Sequence, residues 1–453
     1  MSAAAVNPQR HLWGHFSNLV TDDESARAVI TRGEGCWVYD SNGRRYLDGL
    51  AGLFCVQVGH GRHRIADAMA AQARELAYFP LWSYAHPPAI DLSARLVALA
   101  GEPFSRVFFT TGGSEAVESA LKLARQWHRA NGDPGRYKAV TRNLAYHGTT
   151  LGALALTGLP GYRAPFEPLV GGVHVENTNR YRCGFCAAQA ACSLQCAEDI
   201  ERAIVREGPS TVAAVFLEPV QNAGGCITAP QGYFDAVREI CDRHGVLLVS
   251  DEVICAFGRL GEYFGFQRLG YTPDLVTFAK GLTSGYAPLG GVLASDKVAA
   301  PFEREGEMFA HGLTFGGHPV SCAAALANLE IMQEEDLPGR VRAHEDAFRA
   351  ALEELYDLPV VGDVRGMGYF WGIELVKDRG SRQSYSAEES GRLLRDELSP
   401  RLFDARLICR TDDRGDPVIQ LSPALVAGPS EFAHIAGAIR TALVETMDRL
   451  AAR

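Results

Sequence analysis

No stretch of the chain approaches the roughly 18 uninterrupted apolar residues that a membrane-spanning helix requires. Blocks of lysine and arginine are also missing. With 44 basic residues against 54 acidic ones the formal net charge is −10, which argues against a nucleic-acid backbone or an anionic membrane surface as a partner. There is no internal repeat and no low-complexity linker, so a solenoid or a long disordered tether is not expected. Met1 to Val20, with Pro8, Arg10, His11 and His15, lacks the apolar centre of a secretory signal. These absences leave an ordinary soluble globular chain, expected in the cytoplasm. Its 453 residues, 47% of them hydrophobic, allow two or three domains and a large core.

What is present in the middle of the chain is an alternation of short apolar runs and helical patterns. Arg106–Thr110, Thr211–Leu217, Gly245–Ser250 and Asp274–Phe278 read as strands. Ser114–Arg129 and Tyr233–His244 read as helices, the second closed by Gly245. Continuous apolar strands interleaved with helices predict an α/β domain around a mostly parallel sheet. The C-terminal third differs. Helical stretches from Leu326 to Glu334 and from Val341 to Tyr356 precede a strand at Arg365–Gly372, a helix near Ala387–Leu398, and short strands around Leu407 and Val418. That is an α+β module. Gly35–Gly43 reads as a hairpin with an Asn-Gly turn and is expected to pack with this module.

Four features bear on chemistry. Asp251 follows Leu247–Ser250, which places a carboxylate at the carboxyl end of a buried strand, where open α/β sheets bind ligands. Alone it reads as a turn or helix-cap acid, and Glu252 beside it points to the opposite face of the strand. Lys280 lies 29 residues downstream, at the end of the next strand in Phe278-Ala-Lys-Gly-Leu282. A partly desolvated amine there can attack an aldehyde and carry protons; the bland alternative is a lysine reaching from the sheet edge to water. Thr110–Ala116 places Gly112, Gly113 and Ser114 between a strand and a helix N-terminus, a geometry suited to phosphate. Tyr146, in Tyr146-His147-Gly148, is an aromatic that can stack on a flat ring or simply fill a turn. Singly, none is decisive. Together they match the needs of an aldehyde cofactor with a phosphate tail and a pyridine nitrogen to be kept protonated.

Leu248–Arg259, Pro273-Asp274 and Ala279–Leu282 resemble the signature of the class III, or ω-, aminotransferases. Thr111–Ala116, Tyr146–Gly148, Glu218–Gln221 and Leu313–Pro319 extend the resemblance from about Trp37 to Pro423. It implies the fold-type I architecture of pyridoxal-5′-phosphate (PLP) enzymes: a large domain with a mostly parallel central sheet, and a smaller α+β domain built from both ends of the chain. The implied boundaries are 1–65 and 326–453 for the small domain and 66–325 for the large one. It also implies a homodimer with active sites at the interface, a tetramer being the alternative. Lys280 would hold PLP as a Schiff base and shuttle protons, and Asp251 would bind the pyridine nitrogen. Val253 and Tyr146 would cover the two ring faces, and Glu218 would belong to the same cofactor site. Gly113 and Ser114 would hold the phosphate, joined by Thr314 of the neighbouring subunit. By position, Phe54, Leu81 and Trp82 would line the substrate pocket, and Arg410 would be the arginine that grips a substrate carboxylate. The stretch from Arg410 to Gln420 is longer than the family's pattern and makes Arg414 a rival. The activity so implied is transfer of an amino group from an amine or ω-amino acid to a keto acid such as pyruvate. The alternative is another reaction of the same fold: aminomutase, racemase or decarboxylase.

Cys183, Cys186, Cys192 and Cys196 hold four of the eleven cysteines within 14 residues. The pattern is open to zinc, to an iron–sulfur cluster, or to a surface loop of free or disulfide-forming thiols; any metal there would be structural, and none is expected in the chemistry. The remaining cysteines read as reduced and buried. His60, His63, His311 and His318 read as surface or turn residues or as supports behind a site, and no carboxylate partner accompanies the His60/His63 pair.

Overall fold

The computed structural model describes residues 11–16, 28–186, 189 and 191–451. Most of the Met1–Val20 segment therefore lies outside the described residues. Three strands open the fold: β1 (Ile30–Glu34), β2 (Trp37–Asp40) and β3 (Arg45–Asp48). The seven of the central sheet follow: β4 (Phe104–Thr110), β5 (Lys138–Arg142), β6 (Gly172–Val175), β7 (Val212–Leu217), β8 (Leu247–Asp251), β9 (Leu275–Phe278) and β10 (Gly290–Ser295). The last five are β11 (Val361–Met367), β12 (Phe370–Leu375), β13 (Leu407–Ile408), β14 (Arg410–Asp412) and β15 (Val418–Leu421). The principal helices are α1 (His63–Glu75), α2 (Pro87–Ala100), α3 (Gly113–Ala130), α4 (Gln195–Glu207), α5 (Tyr233–His244), α6 (Pro319–Glu334), α7 (Leu337–Glu353) and α8 (Pro429–Ala451).

The central sheet has the order β4-β10-β9-β8-β7-β5-β6. Only β10 runs against its neighbours, so the carboxyl ends of the other six strands share one edge. Every residue of β7 and β8 is buried, as expected of strands covered on both faces. On one face Val117, Ala120, Leu121 and Ala124 of α3 pack on Ala139, Ala214, Val249 and Leu275. On the other, Ile200 and Ile204 of α4 and Val237 and Ile240 of α5 meet Val215, Leu248 and Val276. Alternate residues of each strand thus serve opposite layers. Each fully buried Val, Leu or Ile contributes roughly 1.5–3 kcal/mol.

The smaller domain joins the two ends of the chain. β13 pairs in parallel with β3, Leu407 opposite Leu47, completing a β1-β2-β3-β13 sheet. A second sheet has the order β11-β12-β15-β14. Arg365–Gly372, expected as one strand, is two: Gly368, at φ +58°, reverses the chain between β11 and β12. α6 begins at Pro319, seven residues before the apolar pattern becomes obvious, because proline suits the first helical position. Arg259, fully buried, binds the two domains. Its guanidinium donates to the carbonyls of Tyr369 (3.1 Å) and Pro423 (2.5 Å) and to Gln57 Oε1 (2.9 Å). His60 does have a carboxylate partner, contrary to expectation: its Nε2 lies 2.8 Å from Asp48 Oδ2. The fold places β3 beside it, which separation in sequence concealed. No helix among the described residues is long and apolar enough to cross a membrane.

Candidate active site

The site grows from the shared edge of the parallel strands. β8 ends in Asp251, and parallel pairing sets it opposite Thr277 of β9. The Thr277 hydroxyl donates to Asp251 Oδ1 at 3.0 Å, as does the Val253 N–H at 3.1 Å. Oδ2 lies 2.6 Å from Nδ1 of His147. A carboxylate only accepts, so Nδ1 carries the hydrogen and Nε2 is left to accept from the Thr141 hydroxyl at 2.8 Å. The carboxylate is thereby fixed from three sides. In the sequence His147 stands only as the neighbour of Tyr146. Its place behind Asp251, 104 residues away, arises from the packing of the 146–148 loop over β8.

Glu252 faces the other way. It accepts from the Gly265 and Phe266 N–H groups, both at 2.7 Å, and from the Ser250 hydroxyl at 3.1 Å. Burial pushes its carboxyl up to about 7. It anchors a loop and is no second acid of the site.

Lys280 follows β9 and is held at φ +37°, a left-handed conformation costly for a residue with a Cβ. Its Nζ lies 5.4 Å from the centre of the Phe54 ring. Desolvation lowers its pKa from the ordinary lysine value, while Cys55, Asp251 and Glu218 pull it back. Phe54 is 1% exposed and packs with Val220, Ile254 and Phe370 beneath the amine.

At the neighbouring strand end, Gly112 caps α3 and Gly113 begins it. The first-turn N–H groups of a helix have no partners within it and face outward. A Cβ on Gly113 would stand 2.7 Å from Val253 Cγ1, so only glycine lets that helix end approach Val253. The Ser114 hydroxyl accepts from the Thr149 N–H at 3.1 Å and joins the cup to the Tyr146 loop. Glu218, buried just beyond β7, accepts from the Asn222 N–H (2.9 Å) and the Tyr146 N–H (3.4 Å), and burial raises its pKa. Lysine, carboxylate, helix N-terminus and aromatic loop are thus brought to one edge of one sheet. This donor set fits PLP: a desolvated amine for the aldehyde, a fixed carboxylate for the ring nitrogen, and N–H groups with a hydroxyl for the phosphate.

The residues expected in the substrate pocket divide into two groups. Arg410, in β14, belongs with the first. Its guanidinium has no hydrogen-bond or ion-pair partner among the described residues, and burial and the nearby Arg414 lower its pKa. Arg414 is occupied: its Nε and Nη2 donate to the two Asp412 oxygens at 2.7 and 2.5 Å, in a turn between β14 and β15, with its guanidinium 5.9 Å from the Tyr146 ring centre. Leu81, Trp82 and Thr314 form a different group. Leu81 and Trp82 line a cavity of about 620 Å³ with Phe108, Met308 and Leu313, and the Tyr78 hydroxyl donates to the Thr314 carbonyl at 2.7 Å. Trp82 is 70% exposed. Among the described residues, no hydrogen bond or ring contact joins this group to Lys280, Asp251 or Arg410.

Known proteins agree with this geometry. The sequence profile described as aminotransferase class-III matches residues 20–443. A probable aminotransferase of Mycobacterium tuberculosis is 56% identical over 98% of this chain and 95% of its own. A putrescine–pyruvate aminotransferase of Pseudomonas aeruginosa is 38% identical over 98% of this chain and 96% of its own. Among solved structures, an (S)-enantioselective ω-transaminase from Thermomicrobium roseum superposes with a TM-score of 0.90 at 38% identity, covering 96% of each chain. The chain belongs to the class III aminotransferases, PLP-dependent enzymes of fold type I.

Proposed function

We propose that the enzyme takes the amino group of a primary amine or ω-amino acid and passes it to a keto acid, pyruvate in the first instance, in a ping-pong cycle. The observation that carries this reading is the half-buried guanidinium of Arg410, unpaired among the described residues, beside the fully engaged Arg414. A planar fork of donors suits a carboxylate of the donor or acceptor. Lacking a partner to hold it, Arg410 has the freedom to turn aside for a donor without one. The extra residues after Arg410 fold into the turn that pairs Arg414 with Asp412, which leaves Arg410 the carboxylate contact.

Bound PLP supplies an electron sink that acidifies the donor hydrogen next to nitrogen. The Lys280 amine would take that proton and give it up on the far side of the same nitrogen, a 1,3 shift. Asp251, held by Thr277, Val253 and His147, would face the ring nitrogen. Val253 and Tyr146 would cover the ring, Gly113 and Ser114 would hold the phosphate, and Glu218 positions the Tyr146 loop. We place Leu81, Trp82 and Thr314 in the neighbouring subunit's site, because their own chain sets them apart from Lys280 and leaves Trp82 exposed. Sedimentation velocity is accordingly expected to give a species of twice the 49.0 kDa chain mass, or a multiple of it. A 49.0 kDa species that is fully active would sink the shared-site arrangement.

Donor alone, without acceptor, tests the chemistry. One equivalent of carbonyl product per site is expected, and a donor returned isomerised, racemised or decarboxylated would overturn the assignment. In the same half-reaction, Arg410→Ala is expected to cut kcat/KM for β-alanine about 30-fold or more, the scale of removing one partner of a buried charge pair. With 1-phenylethylamine the change should stay within about threefold, because that donor has no carboxylate for Arg410 to hold. Equal losses on both donors would remove Arg410 from the role.

A further inference from the structure

The four cysteines of residues 183–196 play no part in this chemistry, yet the fold gathers them. Cys183, Cys186 and Cys196 are buried, which overturns the expectation of surface thiols. The sulfurs of Cys183 and Cys186 lie 3.5 Å apart, and those of Cys186 and Cys192 lie 3.8 Å apart. The Cys186 sulfur thus sits between those of Cys183 and Cys192, and Cys196 is buried in the first turn of α4. A tetrahedral zinc–thiolate site, with Zn–S near 2.3 Å, has sulfur–sulfur edges of about 3.8 Å. An iron–sulfur cluster, with several irons between its ligands, would hold the sulfurs farther apart.

The setting suits a compact charged centre. Cys196 is the second residue of α4, where the helix end favours a thiolate. Arg180 Nη1 lies 3.7 Å from the Cys186 sulfur. This cation offsets part of the double negative charge of a zinc tetrathiolate. Leu194, at φ +57°, takes a left-handed turn that returns the chain from Cys192 to Cys196. A non-glycine residue stays in that conformation only where its surroundings over-determine it.

We propose that Cys183, Cys186, Cys192 and Cys196 bind one zinc ion as a structural tetrathiolate site. Each thiol gives its proton to solvent as its sulfur bonds to the metal, with no change of oxidation state. No ready-made cage of three or more ligands exists among the described residues, so the cysteine side chains reorient around the metal as the protons leave. The site fastens the segment between β6 and α4. That segment crosses to the small domain, where Arg182 meets Glu374 at 2.5 Å and the Arg382 guanidinium donates to the Tyr181 carbonyl at 2.8 Å. Its role is to hold the two domains in register, remote from Lys280.

The test is metal analysis of the reduced holoenzyme, followed by reconstitution of chelator-treated protein with zinc alone or cobalt(II) alone. One zinc per chain is expected, with the thiolate-to-cobalt charge-transfer and tetrahedral cobalt bands in the substituted form. Cys183→Ser with Cys186→Ser should lose the metal and melt lower by on the order of 5 °C, while the PLP absorbance remains. If that variant does not fold, the cobalt spectrum of the wild type still decides. Wild type that binds neither metal while titrating eleven free thiols would overturn the proposal, and so would a mass lower by the hydrogens of disulfides within the four.

Discussion

Lys280→Ala is expected to lose the visible absorbance of lysine-bound PLP and at least about 10³-fold in transamination rate, while remaining folded. Two functions vanish together: the nucleophile that captures the cofactor aldehyde and the base that moves the donor proton. The second alone contributes typically 10²–10⁴-fold. The cost to the fold is small. Among the described residues the Lys280 amine makes only a ring contact with Phe54, and alanine tolerates the left-handed backbone as poorly as lysine does. Spectral titration with PLP followed by single-turnover kinetics checks both halves. A variant within about tenfold of wild type would end the assignment. Desolvation lowers the Lys280 pKa, so its neutral, nucleophilic form is present at lower pH than in a free lysine. The rate of PLP attachment to the apoenzyme should therefore rise with pH through a midpoint below 10.5, the ordinary lysine value.

The second large effect is expected at Asp251. Asp251→Asn keeps size and shape: its oxygen still accepts from Val253 and Thr277, and its amide donates to Nδ1 of His147 once that ring moves its hydrogen to Nε2. What disappears is the negative charge. The ring nitrogen then loses the partner that keeps it protonated, and kcat should fall about 10²–10³-fold, the scale of removing one preorganised electrostatic contact. Stability should change by less than about 1.5 kcal/mol, since the hydrogen bonds remain. Unfolding monitored beside kcat separates the two. A large loss of stability with near-normal kcat would mean that Asp251 serves the sheet edge and not the ring.

Both residues stood out in the sequence for the same reason. Each ends an apolar run at the carboxyl edge of the sheet, where open α/β sheets bind ligands, and each gains weight only beside the glycine cup and Tyr146. The cup at Gly112 and Gly113 was legible because a strand, two glycines and a helix follow one another directly. Other features were invisible by nature. His147 fixes Asp251 from 104 residues away, and Thr277 does so only because parallel register sets it opposite. The antiparallel β10 carried no mark of its direction. Gly368, inside an apolar run, ends one strand and starts another because it reverses the chain.

By itself, then, the sequence determined the alternation of strands and helices and the family resemblance, and it singled out Lys280, Asp251 and a helix end as the groups to receive the cofactor. These are local properties, set by neighbours a few residues apart. Tertiary structure alone decided which arginine is free. Arg410 and Arg414 are equivalent as letters, but the hairpin between β14 and β15 gives Arg414 to Asp412 and leaves Arg410 unpaired. It decided likewise that Leu81, Trp82 and Thr314 stand apart from their own chain's lysine, and that the sulfurs of Cys183, Cys186 and Cys192 meet. Such outcomes depend on contacts between distant segments, where small differences in register and packing choose among partners the sequence leaves open.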